Sequence, residues 1–242
     1  MANDYLIYGK HTVLAALLNP RRKCKELWLT PSGEVELRKG GVDAAQLRIR
    51  TNIVINQELT KLFPNIALHN GMVLKTEYLA QPTLSSFLAQ LNEKHSTIIL
   101  LDQVSDPHNL GAILRVAAAF SAAAVFALKD NSVRENATVA KVASGALEKI
   151  PLLTITNLAS TIDTLKKHKF WIVGLDTVGT HPLTAINDFE RTALIFGNEG
   201  EGLRALTKKN CDILSRIPIS SQVESLNVAT SVAIALYERS AL

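Results

Sequence analysis

Cysteine is scarce in this chain. Only Cys24 and Cys211 occur in 242 residues, far apart and with no CxxC spacing. A metal site or disulfide framework is therefore not expected, whereas two free thiols in a reducing compartment are. Long apolar runs are missing too. The most apolar stretch, Ile113 to Leu128, is interrupted by Arg115 and is too short to span a bilayer. The opening MANDYLIYGK lacks the basic start and apolar run of a signal peptide. These absences predict a soluble, cytoplasmic protein with no membrane partner. No early GxGxxG is present, which counts against a dinucleotide-dependent oxidoreductase.

What is present is globular: 47% hydrophobic and 20% charged residues, enough to bury a real core. The net charge of +4 is unevenly placed. Residues 1–76 hold eleven Lys and Arg against six Asp and Glu, and residues 77–242 hold fifteen against sixteen. A positive excess confined to the first third suits a polyanion such as nucleic acid, though a solvated basic face explains it as well.

The first 76 residues read as a small α/β domain. YGKHTVLAALLNP has apolar residues at helical spacing and stops at Asn19-Pro20. ELWLT, the start of IRTNIVINQELTKLF and ALHNGMVLKTEYL read as strands. Residues 77–95 form a connector broken by Pro82, with a helical pattern in LSSFLAQL. From residue 96 to 242, apolar strands alternate with helices: TIILLDQV, AAVFAL, IPLLTIT, FWIVGLDT, TALIFG and DILSRIPI are the strands. That alternation predicts an α/β fold with a parallel sheet covered on both faces.

In such sheets ligands bind beyond the carboxyl ends of the strands. Three of those ends carry unusual residues. After TIILLDQV comes Asp106-Pro107-His108-Asn109, where Asn109 can cap the next helix. Arg115 sits within that otherwise apolar helix and needs an anionic partner, either a substrate phosphate or a carboxylate such as Glu199. After TALIF, glycines 197, 200 and 202 read GxxGxG, which implies a close backbone approach or a positive φ. After DILSRIPI, Ser225 can cap the closing helix and Asn227 falls in its first turn.

The ordered set DPHNLGAILR, GNEGEGL and IPISSQVESLNVA resembles the three signature motifs of the SpoU (TrmH-like) family of RNA 2′-O-methyltransferases. YGKHTVLAALLNP resembles the start of the branch that modifies guanosine in 23S rRNA. One departure is visible: Ile219-Ser220-Ser221 stands where the family often has a Met-Gly-like pair. The resemblance implies a catalytic domain with a C-terminal trefoil knot of the SPOUT type, preceded by a small α/β RNA-binding domain. It also implies S-adenosyl-L-methionine (SAM) as methyl donor, no metal, a homodimer with the active site at the subunit interface, and RNA, 23S rRNA in particular, as partner. It assigns catalysis to Asn109, Arg115, Glu199, Ser225 and Asn227, and donor binding to Gly197, Ile217 and Leu226 with neighbouring backbone. Within that picture Arg115 holds the RNA phosphate and polarises the 2′-hydroxyl, Glu199 orients Arg115, and Arg21, Arg22, Lys23 and Lys25 are candidate phosphate contacts. The same chemistry on tRNA and a non-catalytic RNA-binding module are the alternatives.

Overall fold

The computed structural model describes residues 4–66, 68–198 and 200–240. In chain order the first eighty residues form β1 (Asp4–Tyr8), α1 (Lys10–Leu18), β2 (Cys24–Leu29), α2 (Pro31–Lys39), β3 (Arg50–Ile53), α3 (Asn56–Leu62) and β4 (Met72–Glu77). There follow α4 (Leu84–Gln90), β5 (Ser96–Leu101), α5 (Pro107–Ala119), β6 (Ala124–Leu128) and α6 (Ala137–Ala143). The remainder comprises β7 (Leu152–Ile155), α7 (Leu158–Lys167), β8 (Trp171–Leu175), β9 (His181–Pro182), β10 (Arg191–Phe196), α8 (Ala205–Asn210), β11 (Ile213–Arg216) and α9 (Val228–Ser240).

These elements group into two compact units. The first contains the residues up to Ala80 together with Glu135–Lys149. Its sheet has the order β1-β4-β2-β3; β4 runs antiparallel to both neighbours and β2 parallel to β3. β1 was not anticipated from the sequence. Local chemistry sets α2: Thr30 accepts the Gly33 N–H at 3.0 Å, Pro31 opens the first turn, and Arg38 and Lys39 lie in the last. Ile7, Val13, Leu27, Leu29, Met72 and Leu74 are buried in this unit.

Arg22 corrects one sequence expectation. Its side chain is fully buried rather than offered to a phosphate. The guanidinium pairs with Glu135 at 2.7 Å and with Glu148, and it donates to the Glu77 carbonyl at 2.9 Å. The reason is electrostatic: a buried carboxylate is costly unless a cation answers it, and one forked guanidinium answers two here. Tyr5 completes the network with a hydrogen bond to Glu135. Burial, reinforced by that carboxylate, pushes the Tyr5 phenol well above its ordinary pKa.

The second unit contains residues 81–134 and 150–240. Its seven strands are all parallel, in the order β7-β6-β5-β10-β8-β11-β9. The central strands β5, β6, β8 and β10 are near-continuous apolar runs because both faces are covered. Ile98, Leu100, Ile172, Ala193 and Ile195 join one core cluster with Phe87 and Leu88 of α4 and Leu158, Ile162 and Leu165 of α7. Side chains alternate along a strand, so Ile99 and Leu194 face the opposite way. On that side α5 and α9 pack against each other, with α5 against β6 and α9 against β10. Each fully buried Leu or Ile contributes about 1.5–3 kcal/mol to this packing. Among the described residues no helix is long and apolar enough to cross a membrane.

Candidate active site

β5, β8, β10 and β11 are parallel, so the segments that follow them emerge at the same end of the sheet. After β5 the chain turns into α5. Asp106, not Asn109, caps that helix: its carboxylate accepts the His108 N–H at 2.9 Å, and Pro107 takes the first helical position. Proline's missing N–H and fixed φ suit that position, which places the cap one residue earlier. Asn109 is then inside the first turn, buried, with its side chain available for another element.

That element is the start of α9. Asn227, not Ser225, is the cap here: its Oδ1 accepts the N–H groups of Ala229 at 2.9 Å and Thr230 at 3.3 Å. Its Nδ2 donates to Asn109 Oδ1 at 2.9 Å. A cap must immediately precede the first helical turn, and Ser225 falls two residues short of it. Ser225 is exposed and stands in the wall of a cleft.

The cleft encloses about 370 Å3. Most of its wall comes from residues 175–178 at the end of β8, the glycine turn after β10 and residues 217–226 after β11, with Lys208 of α8 and Val228 and Ser231 of α9 adding to it. Gly197, Ile217 and Leu226 all line it. A Cβ on Gly197 would lie 2.1 Å from the carbonyl carbon and oxygen of Gly202, so the turn closes only over bare backbone. Gly202 sits at φ +66° and donates its N–H to the Asn198 carbonyl at 2.9 Å. A wall of uncovered peptide groups can hydrogen-bond the edge of a heterocycle, and the cleft's mixed lining suits a donor with both apolar and charged parts.

The wall formed by 175–178 was not foreseen from the sequence. Its key residue is Asp176, nearly buried, which accepts N–H groups from Val178 at 3.2 Å and Leu203 at 3.4 Å and pairs with Lys208 at 2.8 Å. Burial pushes this carboxyl up, but the Lys208 ammonium and the two N–H donors outweigh it and hold the group below the usual carboxylate range. An acid directly after an apolar strand was the available signal.

Arg115 lies on α5 and is exposed, with no ion-pair or hydrogen-bond partner among the described residues. Glu199, its expected orienting partner, lies outside the described residues. The structure thus gathers Gly197, Ile217, Ser225 and Leu226 in one cleft and ties Asn109 to Asn227. Among the described residues no group of three or more His, Cys, Asp or Glu side chains is placed to hold a metal ion.

Known proteins match this arrangement. Residues 96–237 match the family model described as the SpoU rRNA methylase family, and residues 6–82 match RNA 2′-O ribose methyltransferase substrate binding. A 23S rRNA (guanosine-2′-O-)-methyltransferase of Ralstonia nicotianae is 37% identical over 98% of this chain and 96% of its own length. One from Neisseria meningitidis serogroup B is 39% identical over 98% of this chain and 95% of its own. In fold, the SpoU methyltransferase AviRb from Streptomyces viridochromogenes, solved with AdoMet, superposes with a TM-score of 0.81 at 20% identity, covering 98% of this chain and 89% of that one. With one family model spanning more than half its length and relatives this similar from end to end, the chain belongs to the SpoU rRNA methylase family.

Proposed function

We propose that this protein transfers a methyl group from SAM to the ribose 2′-hydroxyl of a guanosine in 23S rRNA, in the cytoplasm and as a homodimer. One observation carries the reading: a backbone-walled cleft beyond the strand ends, with Ser225 in its wall and the next residues leading into the Asn227–Asn109 pair. The relatives that match from end to end are named for this reaction on 23S rRNA, which favours rRNA over tRNA.

The sulfonium donor supplies an activated methyl group. This chain's own residues must orient the ribose oxygen and accept or disperse its proton. Asn109 positions the ribose, a role its hydrogen bond from Asn227 supports, and Ser225 shapes the cleft wall after β11. Arg115 clamps the phosphate and polarises the hydroxyl, because arginine stays protonated and its fork suits phosphate. Glu199 is assigned the orienting role toward Arg115. An Arg115 that is exposed and has no ion-pair or hydrogen-bond partner among the described residues supports a site completed by a second copy of the chain. The family's trefoil knot belongs to the same reading; β10 and β11 flank β8, and the segments after all three meet at the cleft, which supports it.

The test is transfer from radiolabelled SAM to 23S rRNA isolated from a strain lacking the protein, with ribose methylation mapped by primer extension. One new 2′-O-methylguanosine is expected, and Arg115→Lys should lower turnover at least a hundredfold. Methylation of tRNA instead, or none with the wild-type protein, defeats the reading.

A further inference from the structure

We infer that two buried aspartates, Asp102 and Asp176, are positioning residues that hold the glycine turn of the cleft in its donor-binding shape. The inference rests on the proposed donor site. β10 lies between β5 and β8 in the sheet. Asp102 follows β5 on one side of it, and Asp176 follows β8 on the other. Both carboxylates reach the same short stretch, Leu203–Lys208, by which the chain leaves the glycine turn and enters α8.

On the β5 side, Asp102 has no exposed side-chain surface. Its Oδ2 accepts the Thr207 hydroxyl at 2.7 Å and the Arg204 N–H at 3.4 Å. Its Oδ1 stands 2.7 Å from Arg204 Nη2, an ion pair not aligned as a hydrogen bond. On the β8 side, Asp176 takes the Leu203 N–H and the Lys208 ammonium. Leu203, Arg204, Thr207 and Lys208 are thus held from both flanks.

The turn needs such a clamp. Gly197, Gly200 and Gly202 fall within six residues, and glycine leaves a backbone the most freedom to open. α8 is only six residues long, and Arg204 at its cap position supplies no side-chain hydrogen bond. The helix's own cap position therefore does not fix the exit from the turn. Asp102 serves as a remote cap by accepting the Arg204 N–H, and Asp176 secures the preceding residue. Burying two carboxylates is costly unless cations and donors answer them, as Arg204, Lys208, Thr207 and the backbone N–H groups do here, and that requirement holds the stretch stiff.

The test compares Asp102→Asn and Asp176→Asn with wild type in three readouts: calorimetric titration with S-adenosyl-L-homocysteine, steady-state kinetics with RNA, and amide hydrogen exchange. Each variant should bind S-adenosyl-L-homocysteine about tenfold more weakly and show a matching rise in KM for SAM. The kcat at saturating SAM and the KM for RNA should change less than twofold. The Leu203 and Arg204 amides should exchange at least tenfold faster while β5 and β10 amides keep their protection. Thr207→Val removes only the hydroxyl donor to Asp102 and should give a smaller weakening in the same direction. Variants that bind like wild type, or that lose kcat, both KM values and sheet protection in parallel, overturn the clamp. A wild-type protein that binds no S-adenosyl-L-homocysteine overturns the donor site, and the clamp with it.

Discussion

Asn227 donates from Nδ2 to Oδ1 of Asn109 at 2.9 Å, joining residues 118 positions apart, while its own Oδ1 caps α9. Both ends of one amide are engaged, so its orientation is set by two elements at once. Asn227→Ala should cost about 1–2 kcal/mol of stability through the lost cap alone. Asn227→Asp keeps the cap but turns an oxygen toward Asn109, so it should spare stability and still lower methylation. A double-mutant cycle with Asn109→Ala, read from urea unfolding midpoints, should give a coupling of about 0.5–3 kcal/mol. Strict additivity would remove the tie from the account.

The glycines of the turn are not equivalent. A methyl group on Gly197 would collide with Gly202 backbone, whereas one on Gly200 meets nothing within 4 Å. Gly197→Ala should therefore weaken SAM binding at least tenfold and lower the melting temperature. Gly200→Ala should bind SAM as wild type does. Equal behaviour of the two, measured by calorimetry and thermal unfolding, would show that the turn is not the wall it is taken to be.

Arg22 and its sequence neighbours should separate cleanly. Arg22→Ala leaves Glu135 and Glu148 buried without their cation and should cost about 3–5 kcal/mol. Its RNA affinity, measured where the variant is folded, should keep the wild-type salt dependence. Arg21 and Lys23 are exposed. Replacing both by Gln should leave stability within about 0.5 kcal/mol and lower the slope of log affinity against log salt by about 0.7–0.9 for each RNA phosphate that the pair had neutralised.

The two thiols should be sluggish. Burial pushes Cys24 up to about 11 and Cys211 up to about 12, with the neighbouring Asp212 carboxylate adding to the second. A raised thiol pKa means less thiolate at any lower pH. At pH 8 the native protein should react with iodoacetamide at least a hundredfold more slowly than free cysteine, rising tenfold per pH unit. Labelling in urea should restore the ordinary rate.

Much of the second unit was legible because the central strands β5, β6, β8 and β10 are mostly apolar runs and the segments after β5, β10 and β11 carry polar or glycine-rich turns. A two-residue strand such as β9 and a six-residue helix such as α8 carry no usable period. The capping errors had a local remedy: Pro107 marks the first helical position and so names Asp106. Arg22 had none. In the sequence it belongs to a basic run, and the carboxylates that bury it lie more than a hundred residues away. Asp102 likewise lies more than a hundred residues from Arg204 and Thr207, and the roles of both Asp102 and Asp176 depend on which strands become neighbours.

Glu135 and Glu148 belong to the first unit although they are encoded in the second half of the chain. Neither unit, then, is a single stretch of sequence. Recombination that joined residues 1–80 of one relative to the rest of another would carry Arg22 without its counter-charges unless both parents share them. The two units are consequently constrained to be inherited together, and grafting the first unit of one relative onto another would require exchanging two segments at once.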